Sequence, residues 1–92
     1  INFNDILYIE SLQKYVRFFT TKGNVVTLMS LAKLEEILPS ENFMRIHKSY
    51  IANLEKITGI EGNRVHIEEH TANISKAIKP ELLKRLDKHN LL

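Results

Sequence analysis

Residues 43–57 read Phe43-Met44-Arg45-Ile46-His47-Lys48-Ser49-Tyr50-Ile51-Ala52-Asn53-Leu54-Glu55-Lys56-Ile57, and the rest of the chain is organised around them. The stretch opens on an alternation. Phe43, Arg45, His47 and Ser49 fall on one side and Met44, Ile46 and Lys48 on the other, which predicts a short strand. The far end of that strand gathers His47, Lys48, Ser49, Tyr50 and Asn53 within seven residues, all able to donate hydrogen bonds. No acid lies between Glu41 and Glu55. An apolar strand that delivers donors without a carboxylate suits a polyanion such as nucleic acid.

Outward from this stretch, the upstream neighbour is helical. Leu31, Leu34, Ile37 and Leu38 recur at helical spacing behind Ser30, a good N-cap, and Pro39 stops the run. This predicts a short amphipathic helix over about residues 30–38. Glu35 and Glu36 on its wet side would repel phosphate, so the helix is read as core packing and not as a recognition helix. Earlier still, residues 6–9 predict a half-buried strand with Leu7 and Ile9 inward and Tyr8 and Glu10 outward. A connection over residues 11–14 follows, then a strand at Tyr15–Thr20, a hairpin turn at 21–24 and a returning strand at 25–29. The first third is an antiparallel meander.

Downstream, Leu54-Glu55-Lys56 reads as a turn. Strands are expected at 57–61, at 65–69 after the tight turn Gly62-Asn63, and at 71–74. A C-terminal helix, over about residues 78–90, follows from the spacing of Ile78, Leu82, Leu83, Leu86 and Leu91. Its start is placed at Ser75 or Lys79, with Pro80 tolerated in the first turn. Lys84, Arg85, Lys88 and His89 complement the dipole at its C-terminal end. The fold class is therefore mainly β (α+β by count): an elongated antiparallel β-sheet body carrying two helices.

Ninety-two residues make one small domain, and 43% hydrophobic with 26% charged residues describes an ordinary globule. There is no cysteine, which removes disulfides and thiolate metal sites and fits a reducing cytoplasm. No apolar run approaches the ~18 residues of a membrane-spanning helix. The first twelve residues have no basic start and carry Asp5 and Glu10, unlike a signal peptide. The chain opens on Ile1 instead of Met, which suggests a piece of a longer protein. A net charge of +2 argues little, but its distribution argues more. Acids are absent from residues 11–34, which hold Lys14, Arg17, Lys22 and Lys33. They are absent again from 42–54, with Arg45 and Lys48, and from 70–80, with Lys76 and Lys79. Three acid-free segments far apart in sequence are expected to converge on one basic face.

Two enzyme-like patterns fail on geometry. His66-Ile67-Glu68-Glu69-His70 matches H-x-x-E-H, a zinc-protease signature that requires both imidazoles on one helical face. The segment alternates after a turn and reads as a strand, where residues four apart lie roughly 13 Å from one another. Ser49 and His47 are two apart on a strand with no orienting acid nearby, so they make no nucleophile–base pair. Gly23, Gly59 and Gly62 are isolated and form no phosphate loop. Neither catalysis, metal nor cofactor is expected.

Binding chemistry is better supported. Lys48, at a strand end, suits guanine or phosphate. Arg45 suits either as well, against a structural ion pair on the Phe43 side. His47 meets phosphate or is a satisfied structural group. Ser49 and Tyr50 are phosphate donors, while Asn53 is read as an Asx-turn residue closing the loop. Lys14, Tyr15 and Arg17 lie at one further loop end, and Ser75 with Lys76 at another; Tyr15 fits core as well as contact.

The run from Arg45 to Leu54, R-I-H-K-S-Y-I-A-N-L, closely resembles the central motif of LytTR-type DNA-binding domains, the output modules of many bacterial response regulators. Asp5-Ile6-Leu7-Tyr8-Ile9-Glu10-Ser11, Met29-Ser30-Leu31-Ala32-Lys33-Leu34-Glu35 and Ile74-Ser75-Lys76 agree in order and spacing. The resemblance covers essentially the whole chain and implies a sequence-specific double-stranded-DNA reader for transcription regulation. Such domains enter successive major grooves with loops, not a helix. By matching motifs, the base-reading positions fall on Lys48, on Lys76 and near residues 14–16, where Val16 offers only apolar contact such as to a thymine methyl. The resemblance also implies a missing first strand and an upstream receiver domain outside this chain. The unpartnered edge would then lie around residues 6–9, inviting self-association there, or on tandem DNA sites. The alternative is a small β-rich protein-interaction module whose basic loops meet an acidic partner.

Overall fold

The first strand, β1 (Ile6–Leu12), lies at the middle of a five-stranded antiparallel sheet in the computed structural model, which describes residues 1–88. A two-residue turn joins it to β2 (Tyr15–Thr20), and a second such turn at Thr21-Lys22 joins β2 to β3 (Gly23–Leu28). Helix α1 (Leu31–Ile37) follows, its N-terminus capped by Ser30 Oγ accepting from the Lys33 amide at 3.1 Å. The 43–57 stretch is a hairpin and not a single strand: β4 (Phe43–His47) turns at Lys48-Ser49 into β5 (Tyr50–Asn53). The order across the sheet is β3-β2-β1-β5-β4. The small second sheet, β6 (Gly59–Glu61), β7 (Arg64–Ile67) and β8 (His70–Asn73), is ordered β6-β7-β8, and α2 (Lys79–Lys88) ends the described chain.

The central position of β1 overturns the expectation of an open edge at residues 6–9. Ile9 pairs with Phe18 on one side and with Ile51 on the other. The expectation rested on the missing first strand that the resemblance implied; β5, hidden inside the central motif where apolar Ile51-Ala52 has no alternation, takes the place beside β1. The edges of this sheet are β3 and β4, and β4 is covered in part by the Ser75 amide, which donates to Ile46 O at 2.8 Å.

The centre of the large sheet is buried on both faces, while β3 at its edge is largely exposed. On one face Ile6, Ile9, Val16, Phe18, Phe43 and Ile51 meet Leu31 and Leu34 of α1 and Leu38 just after it. On the other, Leu7, Tyr8, Met44, Ile46 and Ala52 meet Val65, Ile67 and Ala72 of the small sheet and Leu82 and Leu86 of α2. Hence β1 is not half-buried: Ile6, Leu7, Tyr8 and Ile9 are all in the core. The register slips between Ile6 and Tyr8, and this bulge places Leu7 and Tyr8 in the same core layer instead of on opposite faces.

Among the described residues Asn53 is the one buried polar residue. Its Nδ2 donates to Ile6 O at 2.8 Å and its Oδ1 accepts from Glu55 N at 3.0 Å, capping a 3-10 turn at Leu54–Lys56. The Asx-turn reading holds, with a cross-strand bond added. α1 matches the expected helix within one residue at each end; α2 begins at Lys79, and the expectations for His89, Leu91 and a helix end at 90 lie outside the described residues. The chain measures 33 × 26 × 22 Å, half again as long as it is thick.

Candidate nucleic-acid interface

Antiparallel pairing brings the predicted loops together. The β1–β2 turn, Gln13-Lys14, and the β4–β5 turn, Lys48-Ser49, lie at the same end of the large sheet because β1 and β5 are neighbours. The Ser11 amide donates to Ser49 O at 2.9 Å and ties one turn to the other. Two inter-strand spacings, roughly 10 Å, separate the hairpin axes at their base. The third segment joins through the Ser75–Ile46 bond, and Ser75 and Ile78 line a cavity of about 300 Å³ together with Lys48, His47, Arg45 and Glu35. The three acid-free segments thus meet at one end of the molecule.

Each sequence-predicted residue has a distinct place there. Lys14, Lys48 and Lys76 are exposed, and their ammonium groups pair with no described residue. Arg45 is engaged: its guanidinium donates to Glu35 Oε1 at 2.8 Å, to Lys48 O at 2.6 Å and to His47 O at 3.4 Å. His47 Nδ1 accepts from the Ser49 amide at 3.1 Å, which closes the turn from inside. Ser49 supplies backbone to both neighbours. Tyr50 is half-buried, with its ring 5.5 Å from that of His47 and 6.1 Å from that of Tyr8. Arg17 lies across from Glu10, 3.5 Å away, with its guanidinium 5.8 Å from the Phe19 ring. Ser75 O accepts from the Ile78 and Lys79 amides and turns the chain into α2, leaving Lys76 and Ala77 outermost. Tyr15 is exposed at the start of β2, between Leu12 and Leu28.

The electrostatic consequence is direct. The two carboxylates that approach this end, Glu10 and Glu35, are each held by an arginine. Neutralised in this way, they leave three lysines to set the sign of the surface. Tyr8 lies beneath it with a phenol pushed up to about 12 by burial, and further by the nearby charges of Glu10 and Tyr50.

Val16 does not belong to the interface. It is fully buried on the α1 face with Phe18, so the thymine-methyl contact the resemblance allowed is closed by strand alternation. Gln13 takes the exposed place beside Lys14 that sequence reasoning assigned to a connection. The available signal was spacing: strands reaching Leu12 and restarting at Tyr15 leave only two residues for the turn.

The histidines of the H-x-x-E-H match lie on two strands, not one, because β7 turns at Glu68-Glu69 into β8. They are therefore nearer than along a continuous strand, yet they face opposite ways. His70 pairs with inward-facing Ile67 and packs on the rings of Tyr8 and Phe19, at 5.5 and 5.2 Å. His66 faces out, its Nε2 3.3 Å from Glu61. Opposite faces of a sheet cannot share one ion.

The model of the LytTr DNA-binding domain family matches residues 1–87. The chain is 34% identical over 92 residues to the sensory transduction protein LytT of Bacillus anthracis, covering 94% of this chain and 37% of that protein. It is 36% identical over 58 residues to the transcriptional regulatory protein YpdB of Escherichia coli (strain K12), covering 63% of this chain and 24% of that one. The fold matches a LytTr DNA-binding domain of a methyl-accepting/DNA response regulator from Bacillus cereus with a TM-score of 0.84 at 22% identity, over 94% of this chain and 84% of the other. The chain thus spans little more than a third of the length of the LytT relative.

Proposed function

The chain belongs to the LytTr DNA-binding domain family, and from that membership we propose that it is the sequence-specific, double-stranded-DNA-reading output domain of a cytoplasmic two-component response regulator that controls transcription. Its loops enter the major groove, with Lys48 and Lys76 reading bases and Lys14, Ser49, Ser75 and the edge of Tyr50 meeting phosphate or sugar. Arg45, His47 and Arg17 serve from behind, holding turns and neutralising carboxylates. A receiver domain upstream would switch it, and copies would stand side by side on tandem sites.

The observation that carries this reading is the junction of three acid-free turns at one sheet end, made by the Ser11–Ser49 and Ser75–Ile46 bonds. Neither helix competes for the role. α1 is seven residues long, with two residues buried and Glu35 and Glu36 outward, and α2 packs beside β4 and buries Leu82 and Leu86 in the core between the two sheets.

Selection from random duplex DNA, followed by affinity against salt concentration, tests it. A selected site with a steep salt dependence is the expected result, since each neutralised phosphate releases counterions. A chain that selects no duplex but captures acidic protein would instead be an interaction module with basic loops.

A further inference from the structure

We propose that Gln13 is a base-reading residue of the first turn, its carboxamide addressing an adenine in the groove; this rests on the DNA-binding reading above.

The resemblance directs first-turn readout to residues 14–16, and the structure removes Val16 from reach in the core. What stands outermost in this turn is Gln13-Lys14, between the paired Leu12 and Tyr15. Gln13 is exposed and its carboxamide bonds to no described residue. The fold therefore makes no use of that side chain.

The backbone makes the choice of glutamine notable. Gln13 has φ 56°, in the left-handed region that glycine, asparagine and aspartate occupy most readily. Glu68, first in the matching two-residue turn between β7 and β8, has φ 55°, so the turn geometry itself demands this conformation. The demand is local and would be met with less strain by glycine. Glu68 shares that strain, so what singles out Gln13 is its place beside Lys14 at the end of the sheet where the three turns meet.

The chemistry then selects the ligand. A carboxamide sets a donor beside an acceptor, matching N7 and the N6 amine of adenine in the major groove. Being neutral, Gln13 displaces no counterions, so what it adds is independent of salt, and a contact to adenine adds it at one base pair only. Lys14 beside it has the reverse character. The Ser11–Ser49 bond seats the turn next to Lys48, within the same end of the sheet.

Site selection on the wild-type chain, Gln13→Ala and Gln13→Gly tests the proposal, with thermal melting of each as the control for folding. The wild type should select adenine at one position; both variants should lose that preference about ten-fold, with the rest of the site and the salt slope kept. Gln13→Gly should melt no lower than wild type, because it relaxes the turn. An unchanged selected site in Gln13→Ala would overturn the inference alone, as would an even loss at every position. If the wild-type chain selects no site, the DNA-binding reading fails first and takes this one with it.

Discussion

Arg45 and Lys48 are joined by a 2.6 Å hydrogen bond from the guanidinium of the first to the backbone carbonyl of the second. One cation of the central motif thus fixes the turn that presents the other. The same guanidinium reaches Glu35 on α1, so the turn is braced against that helix.

Lys48→Ala should weaken specific DNA binding by ~1–3 kcal/mol and relax preference at one base pair. Its side chain is exposed and pairs with no described residue, so thermal stability should stay within about 0.5 kcal/mol of wild type. Titration of a selected duplex beside a melt separates the two effects. Unchanged affinity and unchanged site would remove Lys48 from the interface.

Arg45 should behave differently. Arg45→Ala strips three hydrogen bonds from the turn and is expected to destabilise the free chain by about 1–2 kcal/mol, while lowering DNA affinity as well. The Glu35 pair is a third or more exposed on both sides and adds less than ~1 kcal/mol of this. Arg45→Lys decides between brace and contact. Lysine keeps the charge but cannot span Glu35, His47 O and Lys48 O at once, so it should not restore affinity. Full rescue by lysine would mean that charge alone matters there.

Asn53→Ala tests the join between motif and sheet. It would leave Ile6 O and the Glu55 amide without their partner in a site only 3% exposed, at about 2–3 kcal/mol in unfolding experiments. A loss below ~0.5 kcal/mol would show that water or a shifted turn replaces both bonds.

Alkaline pH should find Tyr8. Its phenol is raised in the folded chain from 10.0 to about 12, mainly by burial, so between those values the folded state holds a proton that the unfolded chain has released. Stability present below pH 10 is therefore lost as pH climbs towards 12. Tyr8→Phe should flatten that part of the curve. Its ring stack on Phe19, 4.3 Å between centroids, survives the change. An identical decline in both proteins would assign the effect to other groups.

The reach of the sequence can be judged from particular residues. Periodicity placed α1 almost to the residue, because Leu31, Leu34 and Leu38 face one core and Ser30 and Pro39 mark the ends. It failed at residues 50–53, since a strand buried on both faces shows no alternation. That omission hid the hairpin that carries Lys48 and the strand that pairs with β1, so the missing first strand implied by the resemblance left β1 looking like an edge. Charge pattern marked out three segments whose lysines, Lys14, Lys48 and Lys76, the fold leaves exposed. It could not find the brace by itself, because Arg45 and Lys48 look equivalent until Glu35 stands beside one of them.

The relocated edge carries the last prediction. Among the described residues β3 pairs only with β2, so one side of its backbone is open to another strand. Its sequence, Gly23-Asn24-Val25-Val26-Thr27-Leu28, holds no charge and no proline, the two devices that usually blunt an edge. Val26 and Leu28 are exposed by 52% and 67%. Of the other edges, β4 is covered in part by the Ser75 bond, β6 is three residues long and ends in Glu61, and β8 is only four residues long. Antiparallel addition of a second β3 would pair six uncharged residues with their own copy and continue the sheet across two molecules. We therefore expect concentration-dependent self-association in sedimentation, reduced in Val26→Lys, with DNA binding retained because Lys48 and Lys76 lie on other segments. Association that persists unchanged in Val26→Lys would place the contact elsewhere, and a wild-type chain that stays monomeric at every concentration would show that β3 remains unpaired in solution.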